Sequence, residues 1–164
     1  MIVEALAVDD WEILRDVRLR ALKDSPAAYI STYEEVASWT ESQWRDCFAT
    51  AVWVVPRIGR RIIGVACSLR DDERPVNERY LESVWVERGH RRTGVLRAIL
   101  RYLAELEPDV EDWFLWVLDG NAEARAVYER LGFEPTGESQ PLADASGRAE
   151  VRFRLKTLYP GESD

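Results

Sequence analysis

Apolar residues recur at spacings of three and four between positions 95 and 106. Val95, Ala98, Ile99, Tyr102, Leu103 and Leu106 form one stripe, and Arg97, Arg101 and Glu105 fall on the opposite side. That period predicts an amphipathic helix ended by Pro108. A second helix is predicted over residues 122–131, with Ala124, Val127, Tyr128 and Leu131 on one face and Gly132 as its stop. Near the start, Leu14, Val17 and Ala21 share a helical face after Asp9 and Asp10, either of which can cap a helix. Ser25-Pro26 predicts another helix over residues 26–37, because proline suits a first turn, and residues 40–49 read as a third helical piece carrying Trp44 and Phe48.

Strand patterns fill the intervals. Residues 2–6 predict a short opening strand, and 51–56 and 61–69 a hairpin around Gly59-Arg60 in which Val65, Cys67 and Leu69 share a face. After the polar stretch 71–77 come strands at 80–86 and 113–118. Two closing strands at 133–140 and 150–158 flank the turn-rich Asp144-Ala145-Ser146-Gly147. The order predicts one mixed α/β (α+β) domain over residues 1–164, with a sheet holding at least one parallel pair.

The chain has 164 residues, 46% of them hydrophobic, enough for one core without disulfides or metal. Its first residues carry no basic leader, and no apolar run nears the ~18 residues of a membrane span, so a cytoplasmic protein without membrane association is expected. Cys47 and Cys67 show no C-x-x-C pattern and are expected as buried free thiols. Thirty acidic against 22 basic side chains give a net charge of −8, which disfavours nucleic acid and suits a cationic substrate, although solubility alone accounts for most of these charges.

Against that background, residues 88–101 hold five arginines, one histidine and no acid. They form a turn between the strand at 80–86 and the helix that starts near Val95. A turn meeting a helix start offers unpaired N–H groups and the positive end of the helix dipole, and Arg88, Arg91, Arg92 and Arg97 add charge. The combination suits a pyrophosphate.

Three blocks give a resemblance to the GCN5-related N-acetyltransferase (GNAT) family. They are the strand, Arg91-x-x-Gly94 turn and helix; the run from Asn121 through Ala124 and Tyr128 to Gly132-Phe133; and the opening from Arg15 to Pro26. The resemblance covers nearly the whole chain. It implies a GNAT-type, mostly antiparallel twisted sheet whose central parallel strands splay apart, flanked by helices. It also implies transfer of an acetyl group from acetyl-CoA, as co-substrate and without metal, to the primary amine of a small molecule by direct attack in a ternary complex.

By that resemblance the backbone of Arg91, Arg92, Thr93, Gly94, Val95, Leu96 and Arg97 would hold the pyrophosphate, with Gly94 permitting close approach. The cofactor arm would lie between the strands, against Val84, Trp85 and Val86, with Asn121 orienting it. Tyr128 would act as general acid, and Glu82 as first choice of base. Tyr29, Tyr33, Glu34, Trp39 and Trp85 would border the acceptor. Each role has a plainer rival: Tyr128 as a core tyrosine with a satisfied hydroxyl, Asn121 as a helix cap, Glu82 as a solvent-facing residue or a partner of Arg79. Glu34 and Glu35 are the second option for the base. His90 is expected as a turn residue at phosphate or solvent.

The chain departs from the family at Leu96, where relatives carry glycine or alanine, and at Arg92, often glycine. The Leu96 side chain either reshapes the phosphate turn or packs into the core beside Val95 and Ile99. A protein or peptide acetyltransferase and a non-catalytic acyl-CoA-binding module remain as alternative functions, and a homodimer stays open.

Overall fold

The computed structural model describes residues 1–144 and 146–156; Ala145 in the closing turn and Leu158 at the expected end of the last strand lie outside the described residues. In chain order the elements are β1 (Ile2–Ala5), α1 (Trp11–Asp24), α2 (Tyr33–Ala37), α3 (Glu41–Asp46), β2 (Ala51–Ile58), β3 (Arg61–Ile62), β4 (Gly64–Leu69), β5 (Glu78–Val86), α4 (Val95–Leu106), β6 (Asp112–Leu118), α5 (Ala122–Arg130), β7 (Glu134–Pro141) and β8 (Ala149–Lys156). The sheet runs β1-β2-β4-β5-β6-β8-β7, with β3 beside β2. Every pairing is antiparallel except β5 with β6. This is the mixed, mostly antiparallel sheet flanked by helices expected from the sequence.

Strand alternation sends successive side chains to opposite faces, and each face has its own core. Trp113, Leu115 and Val117 of β6 join Val95, Ile99 and Leu103 of α4, with Ala124, Tyr128 and Leu131 from α5 and its C-terminal end at the margin. On the other face Val65 and Cys67 of β4 and Trp85 of β5 meet Leu14, Val17, Ala21 and Leu22 of α1, Val36 of α2 and Trp44 of α3. No helix among the described residues is long and apolar enough to cross a membrane.

The parallel pairing is short. Only Glu78, Arg79 and Tyr80 of β5 face Asp112, Trp113 and Phe114 of β6, after which β5 continues to Val86 and β6 to Leu118 without each other. β6 stays paired with β8 along its whole length, and β5 follows β4 instead. A bulge helps turn β5 away: Cys67 faces Glu82 and Val65 faces Trp85, so three steps on β5 match two on β4. Ser83 absorbs the extra residue at φ 55°, a left-handed conformation uncommon for serine, and the Arg18 guanidinium of α1 donates to its hydroxyl.

Several sequence expectations need correction. The helix expected over 26–37 is broken into a 3₁₀ turn at Pro26–Ala28, an extended Tyr29 and the short α2. Thr32 and Glu35 form a reciprocal capping box that starts α2 afresh, and the extended Tyr29 delivers its hydroxyl to the Val84 carbonyl at 3.0 Å. Asp10 precedes α1 but makes no side-chain cap to it; its carboxylate accepts from the Ala7 N–H at 2.8 Å. The strand expected over 61–69 is interrupted at Ile63, and the piece at 40–49 is helical only over α3. Leu106, at the end of the apolar stripe, is 45% exposed.

Candidate active site

The site begins where β5 leaves β6. Two of the β5 carbonyls there are satisfied by side chains: Tyr29 Oη donates to Val84, and Arg91 Nε to Val86 at 2.8 Å. β5 then enters the basic turn, whose first residue, Glu87, accepts from Arg20 at 2.9 Å and from Arg61 at 3.0 Å and has His90 at 3.6 Å. The Arg61 guanidinium, acting first as hydrogen-bond donor, and Arg20 hold the Glu87 carboxyl below its ordinary value.

Asp24, at the C-terminal end of α1, is the second anchor. Its carboxylate accepts from Trp85 Nε1 at 3.0 Å, Ser25 Oγ at 2.8 Å, Arg88 Nε at 3.1 Å and Arg91 Nη2 at 2.9 Å. The Trp85 hydrogen bond is the largest cause of its lowered pKa, with Ser25, Arg88 and Arg91 adding to it against some desolvation. An acid at a helix C-terminus opposes the helix dipole, so these four donors must hold it there. Arg88 and Arg91 are therefore occupied, whereas Arg92, Arg97 and Arg101 have no carboxylate partner among the described residues.

Beyond this anchor the backbone opens. The Arg91 N–H reaches the Arg88 carbonyl at 3.4 Å, and the first bond of α4 runs from the Ala98 N–H to the Gly94 carbonyl at 3.0 Å. Between them, the successive N–H groups from Arg92 to Arg97 have no acceptor among the described residues. Thr93 Oγ1 steadies the turn by donating to the His90 carbonyl at 2.6 Å. Gly94 has φ 87°, which an L side chain rarely adopts, and a Cβ there would meet nothing within 4 Å. Leu96 is partly buried and packs against the core that holds Val95 and Ile99. A run of N–H groups without acceptors at a helix start, next to arginines without carboxylate partners among the described residues, fits a pyrophosphate.

On the far side of the split, α5 presents Tyr128. Its ring meets Phe133 edge-on at 5.7 Å, and its hydroxyl has no hydrogen-bond partner among the described residues, unlike that of a satisfied core tyrosine. Burial pushes its pKa up to about 12. Burial also raises that of Tyr29. Asn121 caps α5, its Oδ1 accepting from the Ala124 N–H at 3.1 Å, while its side-chain NH₂ has no acceptor among the described residues.

A cavity of about 210 Å³ lies between β2, β4, β5 and the α1–α3 layer. Trp39, Trp44 and Trp53 line it, with Cys47, Cys67, Arg18, Glu82 and Ser83. The protein around the Glu82 carboxyl, with some help from Glu150, raises its pKa against the pull of Arg18. Arg79 pairs with Glu107 at 3.0 Å, which removes it as a partner of Glu82. Both cysteines are free thiols; Cys67 is buried and Cys47 half-buried.

Of the residues singled out in the sequence, Tyr29, Glu82, Val84 and Val86 meet around the split, Trp39 reaches the cavity, and the Arg92–Arg97 run stands at the turn. Trp85 does not line the cavity: it is 5% exposed, covered by Arg20, and tied to Asp24. Tyr33 and Glu34 lie exposed on α2 outside the cavity lining, and Glu35 is used in the capping box. Sequence reasoning missed Asp24, Glu87, Arg18 and the Ser83 bulge. Only Asp24 left a signal, as an acid at the wrong end of a helix.

A family model described as the acetyltransferase (GNAT) family matches residues 14–133. No curated protein matches the sequence. Among solved structures, the ribosomal-protein-S18-alanine N-acetyltransferase from Escherichia coli is similar with a TM-score of 0.67 at 21% identity, covering 99% of this chain and 97% of its own. An acetyltransferase of the GNAT family from Streptococcus pneumoniae reaches a TM-score of 0.73 at 12% identity, over 94% and 98%. A ribosomal-protein-alanine N-acetyltransferase from Brucella melitensis reaches 0.64 at 20% identity, over 96% and 100%. At these identities the likeness is one of fold. The family model, which spans α1, the split strands, the open turn and Tyr128, carries the conclusion that this chain belongs to the GNAT family of acetyltransferases.

Proposed function

We propose that the chain transfers an acetyl group from acetyl-CoA to the primary amine of a small molecule, with both bound together and the amine attacking directly. The observation that carries this reading is the end of β5–β6 pairing after three residues, directly beside the open N–H run of Arg92–Arg97. When bound, acetyl-CoA supplies an activated thioester. The backbone of Arg92, Thr93, Gly94, Val95, Leu96 and Arg97, with the Arg92 and Arg97 guanidinium groups, binds phosphate; Arg91 supports the turn through Asp24 and Val86. The β5 backbone at Val84, Trp85 and Val86 and the free amide NH₂ of Asn121 are the groups available to orient the cofactor arm.

Proton transfer falls to two side chains. Glu82 Oε accepts a proton from the incoming ammonium, and its raised pKa brings it nearer to working pH. Tyr128 Oη, with a pKa of about 12 and no competing partner, holds the proton to be given to the leaving sulfur. Trp39, Trp44 and Trp53 line this side, where Glu82 stays exposed. A cavity of about 210 Å³ lies below the ~300–1,000 Å³ of most ligand sites, which supports a small acceptor. A protein N-terminus, as the names of the Escherichia coli and Brucella neighbours give for those proteins, is the competing reading.

The test is release of free CoA thiol from acetyl-CoA across a panel of small amines and short peptides, run beside calorimetric CoA binding. Turnover with small amines and none with peptides is the expected result. Peptide turnover alone overturns the small-molecule acceptor, and tight CoA binding without turnover of any amine overturns catalysis.

A further inference from the structure

The chemistry of the acceptor can be narrowed by Arg18. Its guanidinium stands 5.5 Å over the Trp53 ring and donates to Ser83 Oγ, and no carboxylate lies within ion-pair distance of it among the described residues. A guanidinium carries five N–H donors in a rigid fork suited to a carboxylate. Most arginines of this chain meet an acid: Arg20, Arg45, Arg57, Arg61, Arg79 and Arg88 all do. Arg18 lines the cavity and lacks such a partner even though the chain carries 30 acids.

Trp44, in the same wall, is 1% exposed, and its buried indole N–H has no acceptor among the described residues. Trp39 packs against it with ring centroids 4.9 Å apart and the planes tilted by 59°, so this part of the cavity wall is aromatic. Toward the split lies Glu82, with Glu150 close enough to act on its charge. One cavity thus brings together three tryptophan rings, a guanidinium without an ion-pair partner among the described residues and, next to the Ser83 that this guanidinium binds, the Glu82 carboxylate beside the proposed reaction centre.

Resting on the acetyl-transfer reading above, we infer that the acceptor is an amino-acid-like zwitterion: a primary amine directed to Glu82, an apolar or aromatic body against Trp39 and Trp53, and an anionic group on Arg18. The anion completes the guanidinium's hydrogen bonding, and a charge-assisted, bidentate contact in a partly dry site discriminates strongly against a ligand without it. The amine end is favoured by Glu82, which lines the cavity. An amine of equal size without the anionic group leaves Arg18 without an ion-pair partner, as it is among the described residues of the free protein.

Matched acceptor pairs test this: an aromatic amino acid against its decarboxylated amine and its carboxamide, each assayed by thiol release and by calorimetric binding to the CoA-saturated protein. The expected result is a kcat/KM preference of about tenfold or more for the carboxylate, matching one charged contact. In Arg18→Gln that preference ratio collapses toward one, and in Arg18→Lys part of it returns. Because the preference is first read in the unaltered protein, a variant that fails to fold does not decide the matter. Equal or better use of the amines that lack the carboxylate overturns the zwitterion while leaving acetyl transfer standing, as does an unchanged ratio in a folded Arg18→Gln protein. Binding of neither member of any pair, with turnover of unrelated amines, also overturns it. No turnover of any amine at all, despite carboxylate-selective binding, removes the acetyl-transfer reading but leaves the recognition site in place.

Discussion

The two faces of the sheet are built from different materials. Under α4 and α5 the core is largely aliphatic, and α4 runs twelve residues without interruption. Under α1–α3 it holds Trp44, Trp53 and Trp85, two helices of five and six residues, a half-buried arginine and a cavity. Regular packing places the start of α4, with its run of open N–H groups, in a fixed position; it suits a cofactor that is always the same. Short helices around bulky rings leave space whose shape depends on a few side chains, which suits the part of a family site that varies with the acceptor.

Breaking the regular face has the largest effect. Ile99 is fully buried in it, and Ile99→Ala should cost about 2–5 kcal/mol by thermal or denaturant unfolding. Trp39→Ala on the other face, where the ring is only half-buried, should cost about 1 kcal/mol in the same measurement while acting chiefly on acceptor KM. Comparable stability losses would erase the contrast.

At the split, Tyr128→Phe should lower kcat by about 10²-fold with CoA affinity unchanged, since it removes a proton donor and little else. Glu82→Gln sharpens the acceptor side. The Glu82 carboxyl has a pKa raised above 4.5, so kcat/KM should fall as pH drops through that raised value. The glutamine variant should be slower and lack that acidic limb, and a pH profile parallel to the parent's would remove Glu82 as base.

At the turn, Gly94→Ala forces a Cβ onto a φ of 87° and into the open space over the turn. Its strain of about 1–2 kcal/mol should appear as a roughly tenfold weaker CoA Kd in calorimetry. Asp24→Asn has the smallest expected effect, roughly 1 kcal/mol at neutral pH. The charged form of Asp24 is favoured in the fold, so its stabilisation is present above pH 3.8 and lost as pH falls through the lowered value. The stability gap between Asp24→Asn and the parent should therefore shrink on acidification.

The same contrast separates what the sequence reveals from what it hides. α4 was legible because a buried aliphatic stripe at the helical period admits one structure, and α5 because Gly132 at φ 99° marks its end. The stretch after Pro26 was not. Helix propensity there loses to the Thr32–Glu35 capping box and to the Tyr29 hydroxyl on the Val84 carbonyl, and neither partner is visible from periodicity. In the site, the turn could be read from Gly94 and its arginines. Which arginines are free could not, because Asp24 lies 64 and 67 positions from the two it occupies. Arg18 and Ser83 meet across 65 positions, and no local pattern announces such a pair.

The measurement that tests the central claim most directly is an amide ¹⁵N–¹H titration with CoA. The account requires the resonances of Arg92–Arg97, at present without acceptors, to shift together on binding, with Tyr128 and the β5 residues after Tyr80 following. Saturable binding that leaves the Arg92–Arg97 amides unmoved would contradict it.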